Sequence, residues 1–211
     1  MSERKKDAGE KKTRRYRMTK RKEQAKETRT RLYQSALDLI NEKGFQNVSI
    51  KEITARADIS SGSFYSYFDS KEDLIFYTFS ESDEIYEKSY GRCRQMETSR
   101  QMEEFLYDAY SQFEKRGVGI MRAIVVNYFA FPDYDFFNEE RMLIRCMRAI
   151  IEKQKAEAVI PVETDTGDVI RLLITALSGV EMMWCLDGGR TNLGAMARKT
   201  IRLIMRGIQT A

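Results

Sequence analysis

Residues 59–74 read Ile-Ser-Ser-Gly-Ser-Phe-Tyr-Ser-Tyr-Phe-Asp-Ser-Lys-Glu-Asp-Leu, a run dense in hydroxyls and phenols with one ammonium. These groups suit hydrogen bonding to phosphate oxygens and base edges better than the making and breaking of bonds. The rest of the chain is poorly equipped for covalent or acid–base chemistry. It has no histidine, which removes the commonest general base and the commonest metal ligand. Cys93, Cys146 and Cys185 are far apart and lack the CxxC spacing of a zinc site. Their odd number and wide spacing suit a reducing cytoplasm without disulfides. There is no GxGxxG, no P-loop and no GxSxG. We therefore expect no catalytic residues, no metal, no cofactor and no enzyme. A thiol redox sensor through the three cysteines is the remaining chemical alternative.

The elements that must position the hydroxyl run can be read from caps and periodicity. Leu32, Ala36, Leu39 and Ile40 recur on one helical face. Gly44 stands where a C′ residue would end that helix, and Phe45 follows as an apolar plug. Ser49-Ile50-Lys51-Glu52 is a capping box opening a second helix, which runs to about Ala57. Asp58 and Ile59 make a turn, and Ser60 caps a third helix carrying Ser61 to Phe68. Ser70-Lys71-Glu72-Asp73 is a second capping box, with Asp in place of Glu. Two short helices joined by a tight turn form a helix-turn-helix, whose second helix would set Ser61, Gly62 and Ser63 against base edges.

This stretch, with the preceding Ala36, Gly44-Phe45, Val48-Ser49-Ile50 and Ile53-Thr54-Ala55-Arg56-Ala57, resembles the DNA-binding signature of TetR-family regulators over residues 28–77. The resemblance implies DNA contacts from Lys51, Ser60, Ser61, Gly62, Ser63, Tyr65, Tyr67 and Lys71, with Tyr65, Tyr67 and Lys71 on phosphates. It implies core roles for Phe64 and Phe68. Tyr65 as a plain core aromatic and Lys71 as a solvated cap residue are the alternatives. Many members carry a longer polar residue where Ser61 stands and a histidine where Tyr67 stands. Ser61 cannot make a bidentate contact to guanine, so the base preference is not legible.

Charge is uneven. Residues 1–31 hold 14 Lys/Arg and 5 Asp/Glu, leaving 22 and 27 for the remainder, and the whole chain is +4. A basic arm on a mildly acidic body suits a polyanion-binding end, and a solubilising tail is the alternative. The arm lacks Gly and Pro from Lys11 to Lys43, so it could extend the first helix when bound. Met18 is a second candidate start that would omit most of it.

The remainder reads as helices. Met102, Phe105, Leu106, Ala109 and Phe113 form one face; further helices are expected over Val118–Phe129, Asn138–Ala158, Thr166–Leu186 and Asn192–Ile208. Tyr110, Phe113, Met121, Tyr128, Phe131 and Trp184 are candidate lining of a pocket for an apolar or aromatic ligand, with plain core packing as the alternative for each. Arg122, Asn127 and Glu181 fall among apolar residues and need partners if buried. Thr166–Leu186 is apolar nearly all round and interrupted by Arg171 and Glu181, so we expect a core helix rather than a membrane span.

The expected fold is all-α. A basic N-terminal extension (1–27) precedes a three-helix helix-turn-helix domain (28–77) and a helical ligand-binding and dimerisation bundle (78–211). The charged N-terminus has no secretion signal, so a cytoplasmic chain without membrane partners is expected. The family resemblance implies a homodimer through the last two helices, a double-stranded palindromic operator, and a repressor released by a small-molecule effector. A ligand-independent regulator and an architectural protein relying on the basic arm are the alternatives.

Overall fold

The computed structural model describes the backbone of residues 2–128 and 135–209, and side chains from Arg21 onward within those ranges, Ser80 excepted. Among the described residues the chain is all helical. The helices are α1 (Ser2–Lys43), α2 (Ile50–Arg56), α3 (Ser61–Phe64), α4 (Lys71–Cys93), α5 (Gln101–Arg116), α6 (Val118–Val126), α7 (Met142–Ala156), α8 (Thr166–Leu186) and α9 (Leu193–Gln209). The basic arm forms the N-terminal part of α1.

Two hydrophobic cores form. The first gathers Leu32, Leu39 and Ile40 of α1, Ile53 of α2, Phe64 and Phe68, and Leu74 and Ile75 of α4. The second gathers one face each of α5, α7, α8 and α9 around Phe105, Met147, Leu173 and Ile201. Two helices join them. α4 runs unbroken past residues 77 and 78, so its start belongs to the first core and Tyr86 and Cys93 to the second. α6 sends Ile120 and Ala123 into the first core and Met121 into the second.

Several boundaries differ from the sequence expectation. The third helix, expected to reach Phe68, is α-helical only over Ser61–Phe64. The chain then tightens: Ser66 N–H donates to Ser63 O at 3.2 Å and Tyr67 N–H to Phe64 O at 2.9 Å, the i→i+3 pattern of turns. The helix expected from Asn138 begins at Met142. Side-chain turns occupy the gap, with Asp135 Oδ1 accepting from Phe137 N–H and Asn138 Oδ1 from Glu140 N–H. α6 ends at Val126 rather than Phe129. Phe129, the expected end of that helix, lies outside the described residues.

α8 occupies the expected span, started by Asp165, whose Oδ1 accepts from Asp168 N–H at 2.8 Å. By length and composition alone it could cross a bilayer. It packs instead against α6, α7 and α9, burying Leu173, Leu177, Val180 and Trp184. Its opposite face leaves Leu172, Met182, Met183 and Leu186 exposed in the single chain.

Candidate nucleic-acid interface and effector cavity

The helix-turn-helix is built from local caps. Ser49 Oγ accepts from Glu52 N–H at 3.2 Å, and Glu52 Oε2 accepts from Ser49 N–H at 2.9 Å, closing the expected capping box. Lys43 also bonds Glu52 at 2.6 Å, and these contacts, the lysine first, pull the glutamate's pKa down to about 2. Arg56 grips Glu42 with two nitrogens at 2.7 and 2.9 Å, tying α2 to α1. Asp58 turns the chain with φ 54°, and Ile59 N–H donates to Thr54 O at 3.0 Å. Ser60 then caps α3, its Oγ accepting from Ser63 N–H at 3.3 Å. At α4, Ser70 Oγ accepts from Asp73 N–H at 3.0 Å, but the returning bond goes to Asp69 N–H, at 3.2 Å. The expected second capping box is therefore only half formed. Aspartate is one methylene shorter than glutamate.

The short α3 is anchored by aromatics. Phe64 and Phe68 are fully buried with ring centroids 5.7 Å apart. The Arg29 guanidinium of α1 lies 5.1 Å from the Phe68 ring and 4.2 Å from the Tyr77 ring. This anchoring leaves the polar run at the surface. Lys51, Ser60, Ser61, Gly62 and Tyr65 are exposed, and Ser63 and Tyr67 half-buried. Tyr65 is 61% exposed and rests edge-on against Phe64 at 5.5 Å. A Cβ added at Gly62 would meet nothing within 4 Å, so the helix offers a flat, open surface there. Ser61 Oγ lies 3.2 Å from Thr54 Oγ1 and Ser60 Oγ 2.8 Å from Ser63 Oγ, so these hydroxyls are partly engaged within the motif. Lys71 stands apart. Its ammonium donates to Phe45 O at 2.9 Å and Val48 O at 3.0 Å, and lies 4.4 Å from the Phe45 ring centre. Sequence reading missed this: Lys71 closes the turn between α1 and α2.

In the larger bundle a cavity of about 70 Å³ opens between α4, α5, α6, α7 and α8. Tyr110, Phe113, Met121 and Tyr128 of the expected set line it, together with Phe79, Tyr86, Phe136, Arg141, Ser178 and Glu181. Trp184 does not line it. Its ring is buried in the core and its indole N–H donates to Thr191 O at 2.8 Å. Phe131 lies outside the described residues. Of the polar residues needing partners, Arg122 donates to Cys185 O at 2.9 Å and Asn127 to Ala123 O at 2.8 Å.

Glu181 sits in the cavity wall. Tyr110 OH donates to its Oε1 at 2.7 Å, and Tyr128 OH donates to its Oε2. Burial raises the Glu181 pKa above the usual carboxylate range, while the two phenols and the charge of Arg141 oppose the rise. Burial first, then the facing carboxylate, holds both phenol pKa values well above ordinary tyrosine. All three cysteines are free and buried. Burial pushes Cys93 and Cys185 up to about 11 and Cys146 up to about 12, far from the low pKa of a reactive thiol. Among the described residues no group of three or more metal-ligating side chains comes together.

The family model "Bacterial regulatory proteins, tetR family" matches residues 32–78. An uncharacterised HTH-type transcriptional regulator of Bacillus subtilis, YuxN, is 36% identical over 67 residues, which cover 32% of this chain and only 22% of that relative. Among solved structures, a TetR-family transcriptional regulator from Pectobacterium atrosepticum aligns over 88% of this chain and 95% of its own, with TM-score 0.67 and 20% identity. FadR from Bacillus subtilis, in complex with stearoyl-CoA, aligns over 85% of this chain and 98% of its own, with TM-score 0.67 and 15% identity. Residues 32–78 thus match the model of the tetR family of bacterial regulatory proteins, and the chain has the fold of solved TetR-family regulators over most of its length.

Proposed function

We propose that the chain is a sequence-specific DNA-binding transcriptional regulator, a repressor released from a palindromic operator by a small apolar or aromatic effector. Lys51, Ser60, Ser61, Gly62, Ser63, Tyr65, Tyr67 and Lys71 form its DNA-contacting surface, and the cavity around Tyr110, Phe113, Met121 and Tyr128 takes the effector. The observation that carries this reading is the sharing of two helices between the sites. α4 begins at Lys71 beside the helix-turn-helix, and its Phe79, Ser82 and Tyr86 line the cavity. α6 buries Ile120 and Ala123 in the DNA-binding core and turns Met121 to the cavity. A ligand that shifts α4 or α6 therefore shifts the scaffold of α3. A coupling of about 1–3 kcal/mol, ordinary for linked sites, would change operator affinity by about 5- to 150-fold.

A homodimer through α8 and α9 completes the proposal. Leu172, Met182, Met183 and Leu186 of α8 and Leu203 of α9 are exposed apolar residues on packed neighbouring helices. Covering them with a second copy would set two recognition helices about one DNA turn, ~34 Å, apart.

The test is a mobility shift with the DNA flanking the chain's own reading frame, at physiological salt. The proposal expects a discrete complex carrying two protomers per site, competed by the same fragment and not by unrelated DNA. A smear competed equally by any DNA would favour an architectural protein driven by the basic arm. Removing residues 1–21 separates the same readings: a regulator weakens uniformly, whereas an architectural protein loses nearly all binding.

A fatty-acyl thioester is a second reading of the effector, favoured by the likeness to the stearoyl-CoA complex. The cavity of about 70 Å³ would have to open to hold a long chain.

A further inference from the structure

α3 is a single turn, Ser61–Phe64, and one turn of helix cannot hold its own direction. The side chains behind it must do so. Phe64 packs on Phe68 with ring centroids 5.7 Å apart, and Phe68 meets Tyr77 of α4 edge-on at 5.6 Å. Two successive turns of α1 grip Tyr77 in turn. Tyr33 meets it edge-on at 5.1 Å. The Arg29 guanidinium, one turn earlier, lies 4.2 Å from its ring centre and 5.1 Å from that of Phe68. At its other end this chain of rings reaches the surface in Tyr65, 5.5 Å from Phe64.

By sequence Arg29 belongs to the basic arm, where a cation suits DNA phosphate. Arg21, Lys22, Lys26 and Arg31 are exposed, as that role requires, but Arg29 is half-buried. Its Nε is buried without a hydrogen-bond partner. A buried N–H without an acceptor is a cost, so packing alone would favour an apolar side chain of similar length. What arginine adds is a flat cation that attracts two rings at once.

We propose that Arg29 is a positioning residue for DNA recognition. It touches no phosphate itself; through Phe68 and Tyr77 it fixes the direction in which α3 presents Ser61, Gly62 and Tyr65. This deepens the DNA-binding reading and rests on it. Contact with base edges demands that direction, whereas attraction to phosphates in general does not. Loss of Arg29 therefore weakens specific binding and spares the rest.

The test is fluorescence anisotropy of the full chain with two labelled duplexes of equal length, the DNA flanking its own reading frame and an unrelated sequence. Titrations are run at several salt concentrations, each variant well below its melting transition. Arg29→Met keeps the stem and removes the cation. It is expected to lower affinity for the flanking duplex about tenfold, the scale of a lost desolvated cation–π contact, and affinity for the unrelated duplex by less than about twofold. The slope of log affinity against log salt should stay that of the unaltered chain. Arg29→Lys restores a cation and should bring affinity back to within about threefold. A slope reduced by about one unit, with both duplexes weakened alike, would make Arg29 a phosphate contact and overturn the inference. So would a lowered melting temperature with unchanged affinity, the mark of a purely structural residue. If Arg29→Met does not fold, Tyr77→Leu decides, since it removes the facing ring and leaves every cation in place. The same selective loss supports the inference, and undiminished preference for the flanking duplex overturns it. Equal binding of the two duplexes by the unaltered chain overturns the DNA-recognition reading as well.

Discussion

Asn41, in the last turn of α1, donates from its side-chain nitrogen to the carbonyl oxygen of Arg116 at 2.7 Å. Its Oδ1 accepts from the backbone N–H of Ile120 at 3.2 Å. Gly117, the residue before α6, has no side chain to cap that helix, so α1 supplies the cap from 79 residues away. The two sites are thereby clamped at one point: α1 carries the DNA-binding core and α6 lines the cavity. The approach is close. A Cβ at Gly119 would lie 2.7 Å from Asn41 Oδ1, 2.9 Å from Asn41 Cα and 2.9 Å from Ile40 O.

Gly119→Ala is therefore expected to destabilise the chain by about 1–3 kcal/mol, the usual cost of overpacking against backbone that cannot yield. Asn41→Ala removes a cap and should cost about 1 kcal/mol. Urea unfolding followed by circular dichroism measures both. A Gly119→Ala midpoint equal to that of the unaltered chain would show that the helices are not held at this distance.

Lys51 and Lys71 should behave differently although both are candidate DNA contacts. Lys71→Met leaves Val48 O without its donor and Phe45 O with only the 3.3 Å bond from Val48 N–H, and should lower stability by about 1–3 kcal/mol. Lys51→Met, at an exposed position on α2, should leave stability within about 0.5 kcal/mol. It should reduce the slope of log affinity against log salt by about one unit. A titration series at several salt concentrations, paired with thermal melts, separates the two. An unchanged slope would remove Lys51 from the phosphate contacts.

Tyr65→Phe deletes one hydroxyl at a position 61% exposed and keeps the ring edge against Phe64. Melting temperature should not move, while operator affinity falls by about tenfold, as for a lost hydrogen bond to a charged group. Fluorescence anisotropy with a labelled operator reads the change. Undiminished affinity would make Tyr65 a surface aromatic and nothing more.

Burial raises the Glu181 pKa above its usual value of 4.5. For an acid held more tightly protonated in the folded chain, the stabilising contribution is fully present below the unfolded value and is lost as pH rises through the folded value. Glu181→Gln removes that titration. The facing phenols do not take over the window, since Tyr110 and Tyr128 are both pushed upward. The stability of the unaltered chain relative to the variant should therefore rise as pH falls from about 7 toward 4.5. A difference independent of pH over that range would contradict the buried carboxylate.

The three cysteines supply a kinetic check. With thiol pKa values of about 11 to 12 and buried sulfurs, they should resist iodoacetamide at pH 8 in the folded chain and react promptly in urea. Rapid labelling of any one in the folded chain would reopen the redox-sensor reading.

What was legible in the sequence was mostly local. Ser49, Ser60 and Ser70 cap helices that begin one residue later. α8 keeps its expected span because Asp165 caps its start and Gly188 and Gly189, both at positive φ, close its end. Phe64 and Phe68 went to the core as their spacing and neighbours implied. What was not legible depended on contacts distant in sequence. Glu181 meets Tyr110 across 71 positions, Lys71 meets Phe45 across 26, and Asn41 meets Ile120 across 79. No periodicity announces such pairs. Trp184 was misplaced for the same reason: its size suited a pocket, but Thr191 O and the α8 core hold it. The reach of α3 was overestimated because a polar, aromatic run closes into i→i+3 turns as readily as it continues a helix.

The central claim is that this chain reads a DNA sequence through the surface around Ser61, Gly62 and Tyr65. The most direct measurement is selection from a pool of random double-stranded DNA by the full chain at physiological salt, followed by sequencing of the bound fraction. Enrichment of one two-fold symmetric motif with half-sites about one helical turn apart is expected. Replacing Tyr65 by Phe and Gly62 by Glu together should abolish the enrichment without unfolding the chain. A bound pool with no enriched motif, retained equally by that double variant, would contradict it.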